Sequence, residues 1–383
     1  MKKVGLLWVS KDSGLYSNRN FDDIYDEVGF NNGNLAFVYA IEKSIENPIQ
    51  YFPWGTPAEV INKYCDIAVM PCANQLGSHA DLGDLGERFS RYNVPIVAIG
   101  LGAQAENIGD SISLCDGTKF WVEQINEHKN SSQSNIYTRG KYTSIQLDLL
   151  GITGTVVGGC PSHFINGSRS LGVDIEKKWS SIHAPGKISV AAGHESWKNL
   201  TAIENQLVQL INDPIYPGQY VVQSMEEMVK ISRNEFSSIS KEAMQSMIDY
   251  IAPHYSVSEF KSWCKSHAYS FYNIPAWMDS LRRFDVSIGT RYHGVALAIQ
   301  AGAMGITIAI DSRTEEMCIQ TGVPYVRASE IINAPITRKI IKEKLINFDG
   351  EKYDAHRSER AKNYADFLVN NGLTPSRNLM GLI

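Results

Sequence analysis

The chain predicts an α/β protein of two halves, each a parallel sheet covered by helices, followed by a helical tail. Three observations carry this. Short continuous apolar runs, several closed by Gly or Pro, alternate with helical stretches, as in strands buried on both faces. The alternation stops in a polar, irregular stretch from about Gly167 to Lys187 and then restarts. After Pro335 only helical patterns remain. A length of 383 residues suits two domains. The expected division is residues 1–170, residues 180–335 and a helical segment, 336–383.

In the first half, Val4 to Val9 reads as a buried strand, and Asn34 to Glu46 as a helix with Leu35, Val38, Ile41 and Ile45 at helical spacing. Ile67–Met70 and Pro95–Gly100 are apolar strands, as is Asn135–Thr138, which leads into a helix through Leu150. Thr155–Gly158 closes the series. In the second half, Lys187–Ala192 is a strand and Leu200–Ile211 a helix. Tyr220–Gln223, Val286–Ile288 and Gly305–Ile310 are further strands, with a helix over Ser240–Tyr250 between them. The tail holds helical stretches at about Lys339–Ile346 and Asp354–Asn370.

Composition narrows the class. Hydrophobic residues make up 43% and charged residues 20%, as in a soluble globular protein. A net charge of −5 without a long basic run argues against nucleic acid as a partner. The six cysteines form no Cys-x-x-Cys pair and no histidine cluster has zinc spacing, so neither a metal nor a cofactor is expected. Gly100-Leu-Gly102 lacks the third glycine of a dinucleotide fingerprint. The N-terminal apolar run is cut short by Lys11 and Asp12, and no stretch reaches the roughly 20 apolar residues of a membrane span. A cytoplasmic protein is expected, and transient membrane association remains compatible with this.

The most informative segment runs from Asp285 to Gly302: an apolar strand, a tight turn, then a helix of small and aliphatic residues. Arg291 and His293 fall at the turn. Helix N-termini carry free N–H groups and partial positive charge, so an arginine there completes an anion site. A histidine two residues on can carry a proton near neutral pH. Parallel sheets place ligands at the carboxyl ends of their strands. The other loops so placed hold His194 and Glu195, Gln223 and Ser224, and Asp311 to Arg313 in the second half. In the first half they hold Asn31 to Asn34, Asn74 to His79, and Gly102 to Glu106. Asn31, Asn34, Asn74 and Gln104 suit sugar hydroxyls, which ask for neutral donors and acceptors. Glu195 could pair with His194 for acid–base work. Arg139, directly after a strand, faces either the cleft or a boundary salt bridge.

Arg291-Tyr292-His293 with the following Gly-Val-Ala-Leu-Ala-Ile-Gln-Ala-Gly resembles the Arg-x-His signature of the polysaccharide pyruvyl transferase family. Three weaker matches lie in that family's order. Asn31-Asn32-Gly33-Asn34 is similar to its Asn-x-Gly-Asp loop. Tyr137-Thr138-Arg139-Gly140 with Thr143 and Ser144 is similar to its Arg-x-x-x-Ser segment. Gly159-Cys160-Pro161-Ser162 is similar to the turn that follows. Asn34 stands where the family usually carries Asp, and Tyr292 where Leu is frequent.

The resemblance implies two Rossmann-like domains facing across a cleft, a glycosyltransferase-B-like fold, with the C-terminal helices packing back on the first. It implies an enzyme that moves the pyruvyl group of phosphoenolpyruvate onto a sugar hydroxyl pair of a cell-surface or exopolysaccharide precursor. The partners would be phosphoenolpyruvate and a glycan or lipid-linked oligosaccharide. His293 would be catalytic. Arg291, Arg313 and Arg139 would bind the donor, and Asn31, Asn34, Asn74, Gln104 and Glu195 the acceptor; the first domain would be the acceptor side and the second the donor side. Two rival readings remain open: a nucleotide-sugar glycosyltransferase, with Asp311, Glu315 or Glu316 available to a ribose, and a non-catalytic carbohydrate-binding protein.

Overall fold

The computed structural model describes residues 1–8 and 19–383. Among them, twelve strands form two six-stranded, wholly parallel sheets. The first contains β1 Val4–Leu6, β2 Ile49–Tyr51, β3 Ile67–Pro71, β4 Ile96–Leu101, β5 Ile136–Thr138 and β6 Val156–Val157, in the spatial order β2-β1-β3-β4-β5-β6. The second contains β7 Ile188–Ala191, β8 Gln219–Val221, β9 Ala268–Tyr269, β10 Val286–Gly289, β11 Met304–Ala309 and β12 Tyr325–Arg327, in the order β12-β11-β10-β7-β8-β9. This is the pair of Rossmann-like layers across a cleft, the glycosyltransferase-B-like arrangement. β3, β4 and β11 are buried along their whole length, because helices cover both faces of a parallel sheet.

Each sheet reverses its winding once. In the first, the chain leaves β1 for β2 on one side and returns to β3 on the other. In the second, β7 has β8 on one side and β10 on the other. Such switch points open a crevice at the carboxyl ends of the flanking strands. The crevices lie after β1 and β3, and after β7 and β10. At the second, the chain can turn tightly only through glycine: a Cβ on Gly289 would lie 2.1 Å from the Ala191 carbonyl oxygen.

The structure changes several sequence expectations. The interval from Gly167 to Lys187 is not irregular; it holds the helix Leu171–Ser180. Leu171, Ile175 and Trp179 are its buried stripe, a narrow one among polar residues. That helix packs against the 21-residue helix Gly350–Asn370. The long helix also reaches the first sheet, with Tyr364 and Phe367 against Tyr137 of β5. Its Arg357, 1% exposed, donates to the carbonyls of His163, Asn166 and Ser168 and so pins the crossover between the halves. The helix expected over Lys339–Ile346 is a short turn, Arg338–Ile340, followed by a π-helical turn, Ile341–Leu345. Three strands escape the apolar-run pattern: β2, β9 and β12. All are short sheet edges with partly exposed side chains. The predicted end of the first strand at Val9, and Lys11 and Asp12 after it, lie outside the described residues. Among the described residues no helix is long and apolar enough to cross a membrane.

Candidate active site

The second sheet supplies three loops. After β10, Arg291 is the N-cap of the helix Tyr292–Gln300, and His293 is its second residue. The Arg291 guanidinium lies 4.5 Å from the centre of the Trp197 ring, and its Nη2 donates to Ser224 Oγ at 2.5 Å. After β7, His194 packs against the same tryptophan, its ring centre 3.9 Å from that of Trp197 and tilted by 39°. After β11, Asp311 caps the helix Ser312–Thr321 and forms an ion pair with Arg313 at 3.0 Å.

The first sheet closes the site from the opposite side. The turn at Asn31 bridges to Ser224, and the Asn32 backbone N–H donates to the Gln223 carbonyl at 2.9 Å. Arg139, after β5, is 3% exposed; it donates to the Cys72 carbonyl at 3.1 Å and lies over the Phe37 ring. Two further contacts join the halves. Ser312 Oγ accepts from the Ala105 N–H at 3.0 Å, and Glu316 accepts from the Thr143 N–H and hydroxyl, both at 2.8 Å. Burial raises the Glu316 carboxyl pKa, and the Thr143 hydrogen bonds oppose the rise.

A pocket of about 50 Å³ remains between the halves. Its wall includes Asn31, Asn34, Asn74, Arg139, Arg291, His293 and Arg313. It adjoins a cleft of about 1030 Å³, which shares Arg291 and Arg313 with it. On its other side is a groove of about 570 Å³, which shares Asn31, Asn34, Ala73 and Asn74 with it and is floored by Trp8, Trp54 and Phe30.

The electrostatics favour an anion. Burial, and then Arg139 and Arg313, push the His293 pKa down to about 3, so its ring is neutral at pH 7. His194 is also pushed to about 3, by burial and then by Arg291 and Arg313. Arg291 is lowered to about 10 by burial and then by Arg313, and stays charged. The Nε atoms of Arg139, Arg291 and Arg313 are buried without a hydrogen-bond partner. Buried donors are normally satisfied, so three orphans around one pocket mark a place for acceptor atoms.

Seven of the nine sequence-predicted residues therefore line one pocket. Gln104 lies in the adjoining cleft and accepts from the Asn74 amide. Glu195 is not part of this wall. It stays away from His194, whose Nδ1 instead meets the Ser196 hydroxyl, so the suggested His194–Glu195 pair does not form. The two residues lie in a tight turn closed by the Trp197 N–H on the His194 carbonyl at 3.0 Å. Asn34 donates to the carbonyls of Val28 and Gly29 at 3.0 and 3.3 Å, which an aspartate could not do. Asp311, Glu315 and Glu316 are each engaged, with Arg313, Arg327 and Thr143 respectively.

Sequence reading missed two supports. Trp197 carries Arg291 and His194 on its ring. Glu204, fully buried, accepts from the Gly193 N–H at 3.0 Å and from the hydroxyls of Tyr220 and Tyr250 at 2.5 and 3.2 Å, fixing the residue before His194. A signal for Glu204 exists: it sits on the apolar stripe of its helix beside Ile203, Leu207 and Val208.

A family model described as "Polysaccharide pyruvyl transferase" matches residues 8–312. No curated protein matches the chain. Among solved structures, the S. aureus MnaA–UDP structure is similar with 10% identity and a TM-score of 0.48, covering 98% of this chain and 99% of that one. UDP-GlcNAc 2-epimerase from Neisseria meningitidis bound to UDP-GlcNAc has 9% identity and a TM-score of 0.45, covering 95% of this chain and 100% of that one. The family 9 glycosyl transferase from Veillonella parvula has 10% identity and a TM-score of 0.29, covering 96% of this chain and 97% of that one.

Proposed function

Because the chain belongs to the polysaccharide pyruvyl transferase family, we propose that its pocket binds phosphoenolpyruvate and transfers the pyruvyl group to two hydroxyls of a glycan, forming a pyruvate ketal. The observation that carries this reading is the set of three unpartnered guanidinium Nε–H donors around the neutral His293. Phosphoenolpyruvate carries a phosphate, through its enol oxygen, and a carboxylate on the same carbon. Both need charged donors at short range, and arginine forks suit both. Charge on the three arginines is offset by Asp311, which pairs with Arg313 and lines the adjoining cleft.

The chemistry then follows from the donor. The methylene carbon gains a proton, and a sugar hydroxyl loses one as its oxygen bonds to the neighbouring carbon. The bond between that carbon and the phosphate's bridging oxygen breaks, phosphate departs with the oxygen, and a second hydroxyl closes the ketal as it gives up its proton. His293 carries one of these protons. Arg291, Arg313 and Arg139 hold the anionic groups through the charge changes. The acceptor approaches through the groove floored by Trp8, Trp54 and Phe30, where Asn31, Asn34 and Asn74 meet the pocket. In this reading residues 1–170 form the acceptor side, residues 180–335 the donor side, and residues 336–383 brace the first.

The nucleotide-sugar alternative lacks a free carboxylate for a ribose at the expected place, since Asp311, Glu315 and Glu316 are all engaged. The test is incubation with phosphoenolpyruvate and β-linked hexose or N-acetylhexosamine acceptors, following phosphate release and acceptor mass. One phosphate should appear for each acceptor that gains the mass of pyruvate less water. Hexosyl transfer from a nucleotide sugar, with phosphoenolpyruvate untouched, would overturn the reading. So would the absence of any melting shift with phosphoenolpyruvate, since a bound ligand must stabilise the folded state.

A further inference from the structure

We propose that Glu316 is a positioning residue for the donor site: from the second half it caps the helix of the first half that begins just after Arg139, and so holds Arg139 and Arg313 in one geometry around the pocket. The proposal rests on the reading of these arginines as part of the donor grip. The helix Lys141–Leu149 has no side-chain cap of its own, because its N-cap is Gly140. A helix start leaves its first N–H groups unpaired, and an N-cap side chain normally satisfies the one at the second or third position. Here the third position is Thr143, and its N–H donates to Glu316 Oε1 at 2.8 Å. The Thr143 hydroxyl donates to Glu316 Oε2 at 2.8 Å and accepts from the Ala103 N–H at 3.0 Å. A carboxylate from 173 residues away thus does what a local Ser or Asp would do.

Gly140 is what admits the foreign cap. Its φ of −177° is extended backbone that any residue adopts, so the backbone alone does not ask for glycine. A Cβ there would instead overlap Glu316 Cγ: the carboxylate chain fills the place of the missing side chain. The helix that carries Glu316 crosses to the first half once more, one turn earlier. Ser312 Oγ accepts from the Ala105 N–H and donates to the Ala105 carbonyl, both at 3.0 Å. Residues four apart share a helix face, so Ser312 and Glu316 form one docking edge. Arg313 adjoins the first of these fastenings, and Arg139 immediately precedes the glycine at the second. Both arginines line the pocket, one from each half, whereas Glu316 is not part of its wall. Any parting of the halves would separate the two guanidinium groups. Glu316 therefore acts on the donor only through the arginines, by fixing where the first half meets the second.

Two readouts separate positioning from mere stability. One is amide exchange by mass spectrometry in a peptide covering residues 140–146 of the ligand-free protein. The other is affinity for inorganic phosphate and for phosphoenolpyruvate, by calorimetry. Glu316→Ala should speed exchange in that peptide and leave the helix Asp116–Glu127 unchanged. It should weaken binding of both anions about fivefold, the typical worth of a helix cap, with acceptor KM unmoved. Glu316→Gln keeps an acceptor for the Thr143 N–H and should restore most of both losses. Gly140→Ala pushes Glu316 aside and should resemble Glu316→Ala; added to Glu316→Ala it should cost little more, because the atoms it would meet are gone. Unchanged exchange in Glu316→Ala overturns the proposal. So does a lower melting temperature with anion affinity unchanged, the mark of a merely structural carboxylate. If Glu316→Ala does not fold, Gly140→Ala decides by the same two readouts. Phosphate binding weakened as expected, with no use of phosphoenolpyruvate, would sustain the role of Glu316 and sink the donor reading. A wild type that binds neither anion would sink both.

Discussion

The cleft and the groove that flank the pocket arise from the same device and differ in chemistry. Each begins at the switch point of a parallel sheet, where the strand order reverses. The cleft after β7 and β10 is lined by Arg291, Arg313, Arg327 and His194. The groove after β1 and β3 is lined by Trp8, Trp54 and Phe30 with the amides of Asn31, Asn34 and Asn74. Of its two carboxylates, Asp26 and Glu27, the second is paired with Arg19 at 2.7 Å. One region therefore addresses charge and the other addresses rings and hydroxyls. Apart from His79, which lines both, their residues meet in the small pocket that holds His293. A two-substrate reaction with one anionic and one neutral partner needs this separation, because it keeps each partner out of the other's place. The separation also lets experiment act on one region while leaving the other.

The largest effect should come from the point common to both. His293→Gln keeps a hydrogen-bonding side chain but cannot titrate near neutrality. It should lower kcat by about 10²–10⁴-fold, the usual contribution of a positioned acid or base. The KM values for donor and acceptor should both stay close to wild type. A lower melting temperature with retained specific activity would show a packed histidine instead, and the comparison between the two regions would lose its meeting point.

Next comes the cationic side alone. Arg291→Ala removes a charged hydrogen-bond donor, which is worth roughly 1.5–3 kcal/mol, or about one to two decades in kcat/KM for the donor. Arg291→Lys should recover little, because an ammonium lacks the planar fork and the stacking on Trp197. Acceptor KM should not move in either variant. An equal change in both KM values would mean that Arg291 shapes the pocket as a whole and not the donor side.

The difference between the regions also explains what could be read from the sequence. The cationic side was legible because its residues are few, charged and tied to local pattern: Arg291 and His293 at a strand-to-helix turn, and Arg313 just after the end of another strand. The two-sheet fold was legible for the same reason, since buried central strands are continuous apolar runs. The aromatic side was not. Trp8, Trp54 and Phe30 come from three separate segments, and nothing in their local spacing brings them together. Edge strands such as β2 and β12 carry half-exposed side chains and leave no apolar run. Glu195 misled because it sits at the corner of a tight turn in which the His194 ring meets Ser196 instead, whereas Glu204, nine residues away in the helix, carries the buried carboxylate.

The cationic side should also mark itself in stability against pH. His194 and His293 are held to about 3, far below the ordinary histidine value of 6.5, so the folded protein keeps them neutral where the unfolded chain protonates them. Between about pH 6.5 and pH 3 the unfolded state binds more protons, so stability falls as pH falls through that window. Each ring contributes up to about 1.4 kcal/mol per pH unit. Urea unfolding between pH 7 and pH 5 should show this slope, reduced in His194→Gln and in His293→Gln. Phosphate or phosphoenolpyruvate bound among the arginines should also reduce it, because negative charge readmits the proton. A slope that neither variant changes would mean that these rings are not held neutral by the site.

The smallest expected effect belongs to the groove, and it decides whether the two regions are independent. Trp54 offers part of its ring to the groove, stands edge-on to Trp8 with centroids 5.5 Å apart, and donates from Nε1 to the Leu7 carbonyl at 2.9 Å. Stacking on such a ring is worth about 0.5–1.5 kcal/mol, so Trp54→Ala should raise acceptor KM about two- to tenfold. The loss of the Leu7 contact could disturb the end of β1 by itself, and Trp54→Phe separates the two causes. It keeps a ring face and drops the N–H. If the ring binds the acceptor, Trp54→Phe should lie near wild type in acceptor KM. If the hydrogen bond to Leu7 is what matters, Trp54→Phe should resemble Trp54→Ala. In both variants donor KM should stay fixed, since Arg291 and Arg313 and the loops that carry them belong to the other half of the chain. A donor KM that rises together with acceptor KM would show that the groove and the cleft are coupled through the pocket. The division into an anion side and a sugar side would then describe the lining but not the binding.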